Sequence, residues 1–217
     1  MYKSGKVEVK SLARGIQIVS DFVDYYDYLS NNIDPLLIYR RNYSDSMPRG
    51  ESLKWVRDNG IKTIELGLAR QFIATHNKVV VYTDTKAHEF RGKLIVDTQV
   101  ASDIYSTNLV SPYYSETRGV TVKFLQVGSK RYRITFKNEE ETISEGIITK
   151  IEELTPDLNY LIRLPIFSLD YIFDGKEMIC VDFNTVQNIG NLGLKDILTP
   201  QEVIDEIKKA LLAYNIN

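Results

Sequence analysis

The sequence predicts an α/β protein whose C-terminal half takes on α+β character. Three observations carry this reading. Residues 1 to 85 alternate short apolar runs with amphipathic stretches, the pattern of strands interleaved with helices. Residues 119 to 137 alternate apolar and polar side chains on both sides of Gly128-Ser129, as a hairpin does. Residues 161 to 184 place Asp174-Gly175 between two apolar runs, a strong short-range hairpin signal.

In chain order, Val7, Val9, Ile16, Ile18 and Val19 suit a short strand or hairpin. Residues 20 to 32 read as a helix capped by Ser20, with Phe22, Val23, Tyr26 and Leu29 at helical spacing. Residues 35 to 39 read as a buried strand that runs into Arg40, Arg41 and a polar loop ending at Arg49. That loop suits either phosphate binding or plain solvation; it contains no Gly-x-Gly. A helix over 51 to 59 follows, then a strand over 61 to 66, a helix over 68 to 75 and a strand over 78 to 82. This alternation predicts a small, mostly parallel sheet in a domain spanning 1 to 85, with a second domain over 86 to 217.

Lys93 opens a short strand, Lys93 to Val96, and residues 97 to 108 are polar and mixed. In the hairpin, Val120, Val122 and Phe124 are expected to face the core against Tyr132, Ile134 and Phe136. Lys123, Arg131 and Arg133 would then share the opposite, basic face. Such a face suits an anionic ligand and equally suits solvent. At the C-terminus, Thr199, Pro200 and Glu202 form a capping-box start for a helix to Ala213.

Length allows one large domain or two small ones, and 43% hydrophobic residues in 217 suffice for a core. A formal net charge of -2 argues against nucleic-acid binding driven by bulk charge. One cysteine, Cys180, excludes an internal disulfide, and two histidines make a structural zinc site a poor fit. No apolar run approaches the length of a membrane span, so a cytoplasmic protein is expected. The sequence does not set the oligomeric state; a homodimer is one option.

The chemistry concentrates in the last hairpin. Asp182 and Asn184 lie two apart on one strand and so face one way. Asp170 lies on the partner strand, level with them if the turn is short. Carboxylate and amide oxygens converging in this way suit a hard divalent cation, although Asp and Asn also simply end strands.

The stretch holding Asp170, Asp182 and Asn184 resembles the metal-binding end of the ATP-grasp superfamily, where an acidic residue on one strand is followed by acidic-x-Asn on the next. Residues Gly193 to Pro200 resemble the loop entering the last helix of that family, and Glu116-Thr-Arg118 resembles its Glu-x-Arg strand. The resemblance implies an ATP-grasp-like mixed or antiparallel sheet with packed helices, preceded by a small α/β domain. It also implies an ATP- and magnesium-dependent ligase that joins a carboxylate to an amine through an acyl phosphate. Asp170, Asp182 and Asn184 would hold Mg2+. Arg118 and Arg163 would serve the substrate side, and Lys93, Arg40, Glu116 and Arg133 would hold ATP. The partner would be a small-molecule or peptide carboxylate. Residues 83 to 111 are shorter than the family's nucleotide-covering subdomain. Two other readings stay open: a non-catalytic relative serving as a binding module or scaffold, and an unrelated small α/β phosphotransferase or nuclease.

Overall fold

The computed structural model describes residues 7–12, 15–20, 49–84, 92–117, 119–138, 146–155 and 166–184, with residues 197, 198, 202, 205, 206 and 209. The helix expected over 20 to 32 (Ser20 apart), the strand over 35 to 39, and Arg40, Arg118 and Arg163 lie outside the described residues.

Described residues form three antiparallel sheets. Strands β1 (Val7–Leu12) and β2 (Gly15–Ser20) pair as a hairpin, so Ser20 closes a strand where a helix cap was expected. Helix α1 (Arg49–Asp58) follows, with Glu51 in its first turn and Arg57 in its last, each complementing the helix dipole. Leu53 and Val56, one turn apart, bury its inner side, and Trp55 stacks on Phe183 with ring centroids 5.1 Å apart.

The small sheet contains β3 (Lys78–Tyr82), β4 (Lys93–Asp97) and β5 (Leu109–Pro112), with β3 in the middle. Helix α2 (Thr98–Ile104) connects β4 to β5, and its N-cap Asp97 accepts from Gln99 N and Val100 N. Ala69, Phe72, Val79, Val81, Ala101 and Val110 form the core of this unit. Residues 93 to 112 therefore build most of a subdomain by adding to β3, which precedes them.

The expectation of a mostly parallel sheet is corrected here: β3 pairs antiparallel with both neighbours. Among the described residues the parallel contact is a bridge between Thr63 and Cys180. The stretch read as a strand over 61 to 66 is an extended edge segment, and the helix expected over 68 to 75 shrinks to a 3-10 turn, Ala69–Gln71.

The large sheet has the order β10-β9-β6-β7-β8. Its strands are β6 (Val120–Val127), β7 (Lys130–Lys137), β8 (Ile147–Leu154), β9 (Ile166–Phe173) and β10 (Met178–Asn184). The expected face assignment of the β6–β7 hairpin is off by one residue. A two-residue turn pairs Val127 with Lys130, which sets Lys123 opposite Ile134 and Phe124 opposite Arg133. Lys123 is therefore buried on the Tyr132–Ile134–Phe136 face, away from Arg131 and Arg133. The core of this sheet runs from Leu53 and Val56 through Leu125, Ile134, Phe167 and Leu169 to Leu198.

Helical residues near the C-terminus close against the β6–β7 turn. Glu206, buried, accepts from Ser129 N and Ser129 Oγ and pairs with Lys209. Gly128, at φ +59, lies so close that an added Cβ would come within 2.5 Å of the Glu206 carbonyl oxygen.

Gly128→Ala is therefore expected to lower unfolding stability by about 1–3 kcal/mol, since it combines a left-handed backbone with a backbone clash. Gly50→Ala meets nothing within 4 Å inside a helix, and is expected to be neutral or to stabilise by up to about 1 kcal/mol. Urea unfolding of the two variants beside the parent checks both signs.

Candidate functional site

A β-bulge builds the site. Up to Cys180, β10 runs in register with β9, pairing Met178 with Phe173 and Cys180 with Tyr171; past it, Asp182 pairs with Asp170 and Asn184 with Ser168. Val181 is the extra residue. Were it paired with Asp170 in a regular ladder, Asp182 would face Leu169 and point to the other side of the sheet. The turn, Asp174 to Glu177, is held by Asp174 Oδ1, which accepts from Lys176 N and Glu177 N.

Asp170 in turn pairs with Lys123 on β6, so Asp182, Asp170 and Lys123 form one row across three strands, on one face. Lys123 Nζ lies 2.7 Å from Asp170 Oδ1. That oxygen is itself buried, and the Lys123 ammonium is its charge partner.

Arg49 approaches the row from the start of α1. Its Nη1 donates to the Val181 carbonyl at 2.6 Å and to Asp182 Oδ1 at 3.1 Å. The first bond satisfies the carbonyl of the bulge residue. The guanidinium carbon lies 5.0 Å from the ring centre of Tyr82 on β3, within cation–π range, and Tyr82 Oη meets Ser111 Oγ at 3.0 Å. Arg49 thus touches the large sheet on one side and the small sheet on the other. Its side chain is 8% exposed, against 29% for Asp182 and 19% for Asp170, so water reaches the carboxylates more readily than the guanidinium.

The charges drive the two carboxyls apart. Burial pushes Asp170 above the usual carboxylate range; Lys123 works against this and the charge of Asp182 adds to it. Burial would raise Asp182 too, but Arg49, Lys93 and Lys123 together with the Phe183 amide outweigh it and hold that carboxyl below its usual range. Burial opposes the charge on Arg49, and Asp182, Tyr82 and Asp170 more than restore it. Lys93, half-buried on β4, is pushed down to about 8 by burial and by Arg49, while Asp182 and Asp170 partly offset this. Burial raises the Cys180 thiol, so this cysteine is an inert core residue.

The structure thus gathers Asp170, Asp182 and Lys93 from the expected site residues. Asn184 sits in the same ladder two positions beyond Asp182. Glu116 lies elsewhere, against Gly175 at the turn of the hairpin, roughly 15 Å along the strand from Asp170. Arg133 is on the other face of the sheet, ion-paired with Glu152 at 2.7 Å. Tyr82 was not anticipated; Arg49 and Lys123 were read only as part of a polar loop and of a basic face, each suited to an anion or to solvent, and not as partners of the carboxylates. Two signals pointed to the roles of Arg49 and Lys123. A two-residue turn pairs odd-numbered with even-numbered residues, which puts Lys123 with Ile134. An arginine in the first turn of a helix opposes the dipole, which suggests that its charge is used elsewhere.

No family model matches the sequence, and no curated protein matches it either. Solved structures do match. A RiPP-associated ATP-grasp ligase of Chryseobacterium gregarium, in complex with ADP and a leader and core peptide, aligns over 97% of this chain and 85% of its own at 13% identity, with TM-score 0.53. The ATP-grasp ligase PsnB, with precursor peptide and AMPPNP, aligns over 96% and 85% at 9% identity, TM-score 0.53. D-alanine–D-alanine ligase of Bacillus anthracis, with ATP, aligns over 79% and 68% at 14% identity, TM-score 0.50. The chain has an ATP-grasp-like fold. Among the described residues no helix is long and apolar enough to cross a membrane.

The resemblance read in the sequence implies a nucleotide and a divalent cation, and the row can be tested for its fit to them. The donors at the row are of the right kind: two carboxylates face each other across β9 and β10. Among the described residues these two stand without a third acidic or imidazole ligand, so a cation would complete its shell from water or an anionic ligand.

Lys93 should lose its proton near pH 8, about two units below an ordinary lysine. Amine acylation followed by mass spectrometry across pH 6 to 11 (about these limits) should find Lys93 half-reactive near 8. Asp182→Asn should move that midpoint lower, because the lost carboxylate favoured the ammonium.

Proposed function

We propose that the chain is an ATP- and magnesium-dependent ligase that joins a carboxylate to an amine through an acyl phosphate. The supporting observation is the meeting of Asp170 and Asp182 with Lys93, Arg49 and Lys123 on an ATP-grasp-like fold. A divalent cation held with ATP at such a site neutralises the polyphosphate and aligns it for in-line transfer.

The residues divide this work. Asp170, Asp182 and Asn184 offer the oxygens. Lys93 and Arg49 supply fixed positive charge from the small-sheet side, where phosphoryl oxygens would lie, and a water-poor setting strengthens their pull. Arg118 and Arg163 serve as the substrate-side cations that stabilise charge on the acyl phosphate and on the intermediate formed by amine attack. Arg40, Glu116 and Arg133 are secondary candidates for nucleotide contacts; the position of Glu116 at the hairpin turn and the ion pair of Arg133 favour them less than Lys93.

The substrate class proposed is a small-molecule or peptide carboxylate. The peptide option draws on two of the similar structures, which are described with a leader and core peptide and with a precursor peptide. One observation favours the non-catalytic alternative: each carboxylate already has an ion-pair partner. The juxtaposition of Asp170 and Asp182 removes the separation that would have favoured an unrelated phosphotransferase or nuclease.

Calorimetric titration with Mg-ATP separates these readings. The ligase reading expects binding heat with the parent chain, loss of that heat with Asp182→Ala, and affinity about 10–100-fold weaker with Lys93→Met. Absence of heat from the parent chain itself would move the protein to the binding-module reading.

A further inference from the structure

The charges in the row are already matched within the chain. Asp170 and Asp182 contribute two negative charges, and Lys123 and Arg49 each stand against one of them. Lys93 brings a third positive charge close enough to be felt by both carboxylates. A bare divalent cation entering this row meets neutral or positive surroundings. In addition, Asp182 Oδ1 already accepts from Arg49 Nη1 and from Phe183 N at 3.2 Å. A polyphosphate changes the balance, because it gives Arg49, Lys93 and Lys123 another anion to face.

The geometry points to Arg49 and Lys123 as built-in counter-cations that hold the Asp182 and Asp170 carboxylates until a polyphosphate arrives, so that a divalent cation binds here together with the polyphosphate and not alone. This rests on the reading that the row receives the phosphates of a nucleotide. It specifies the regulation of that site: metal occupancy is conditional on the anion.

Arg49 is placed to make such an exchange. It leans on the Tyr82 ring of the small sheet as well as on the β10 bulge, so its guanidinium keeps two supports when it leaves Asp182. Asp170 Oδ1 is held by the Lys123 ammonium at 2.7 Å. Withdrawal of Lys123 toward a phosphate exposes that oxygen and gives the ammonium another anion to face. Both side chains are therefore positioning residues with respect to the metal.

The test uses the full chain and two probes, MnCl2 alone and inorganic triphosphate in excess EDTA. Free Mn2+ is read by its electron paramagnetic resonance signal, and triphosphate by calorimetry. The parent chain should leave Mn2+ free at concentrations up to about 1 mM, yet bind triphosphate without metal. Arg49→Met should bind Mn2+ alone about tenfold or more tightly than the parent and bind triphosphate more weakly. Lys123→Met, which frees the other carboxylate, should shift the same way. Arg49→Met combined with Asp182→Asn should lose the gain. Thermal melts confirm that each variant is folded. Where one of the two fails to fold, the other and the parent arm decide. Tight Mn2+ binding by the parent, or no gain in a folded variant, overturns the inference. Failure of the ligase reading looks different: Mg-ATP gives no heat with the parent, whatever Mn2+ does in the variants.

Discussion

The extra residue at Val181 is the constraint on which the rest of the site depends. A regular strand, with Val181 paired to Asp170, would carry Asp182 to the face of Leu169, and the two carboxylates would lie on opposite sides of the sheet. A bulge leaves its own backbone groups without ladder partners. Here Arg49 takes the Val181 carbonyl, while the preceding residue is bound from the other side, Ile64 N donating to the Cys180 carbonyl and Cys180 N to the Lys62 carbonyl. The distortion is therefore supported by two separate segments, and one of those supports is also the partner of Asp182. Local backbone geometry and site electrostatics are coupled through a single guanidinium.

That coupling explains why so much charge persists where two apolar cores meet. Taking ions out of water is costly, and the cost is offset only when every charge finds a partner of good geometry. Arg49 has Asp182, the Val181 carbonyl and the face of Tyr82; Lys123 has Asp170. Lys93 has no ion pair among the described residues, and burial and Arg49 make its ammonium easier to deprotonate. A cationic group held near neutrality beside paired carboxylates is what an anionic ligand would most strengthen on arrival. The small sheet supplies Tyr82 and Lys93, the large sheet supplies the carboxylates, and α1 joins the two.

Much of this was legible in the sequence, for identifiable reasons. The β9–β10 hairpin could be read because Asp174-Gly175 specifies a turn and the flanking runs are apolar. The closeness of Asp170 and Asp182 could be anticipated from their distance to that turn, although the bulge that makes it true has no signature in Cys180-Val181-Asp182. The face assignment of β6 was misjudged because Phe124, Leu125, Gln126 and Val127 are all buried; a strand covered on both sides shows no alternation that could choose between registers. The antiparallel small sheet was misread as parallel because strand–helix alternation fits both, and the pairing of β3 with β4 and β5 is set by contacts distant in sequence. The role of Arg49 was missed for the same reason: its hydrogen-bond partners lie more than 130 residues away, beyond any local pattern.

The central claim is that Asp170 and Asp182 together receive a metal in company with a nucleotide. Diffraction from crystals grown with manganese and a non-hydrolysable ATP analogue tests it most directly. The account predicts an anomalous peak about 2.1 Å from an oxygen of each carboxylate, analogue phosphates beside Lys93, and Arg49 turned from Asp182 toward those phosphates. A manganese peak touching neither carboxylate, or analogue density away from Lys93, contradicts it.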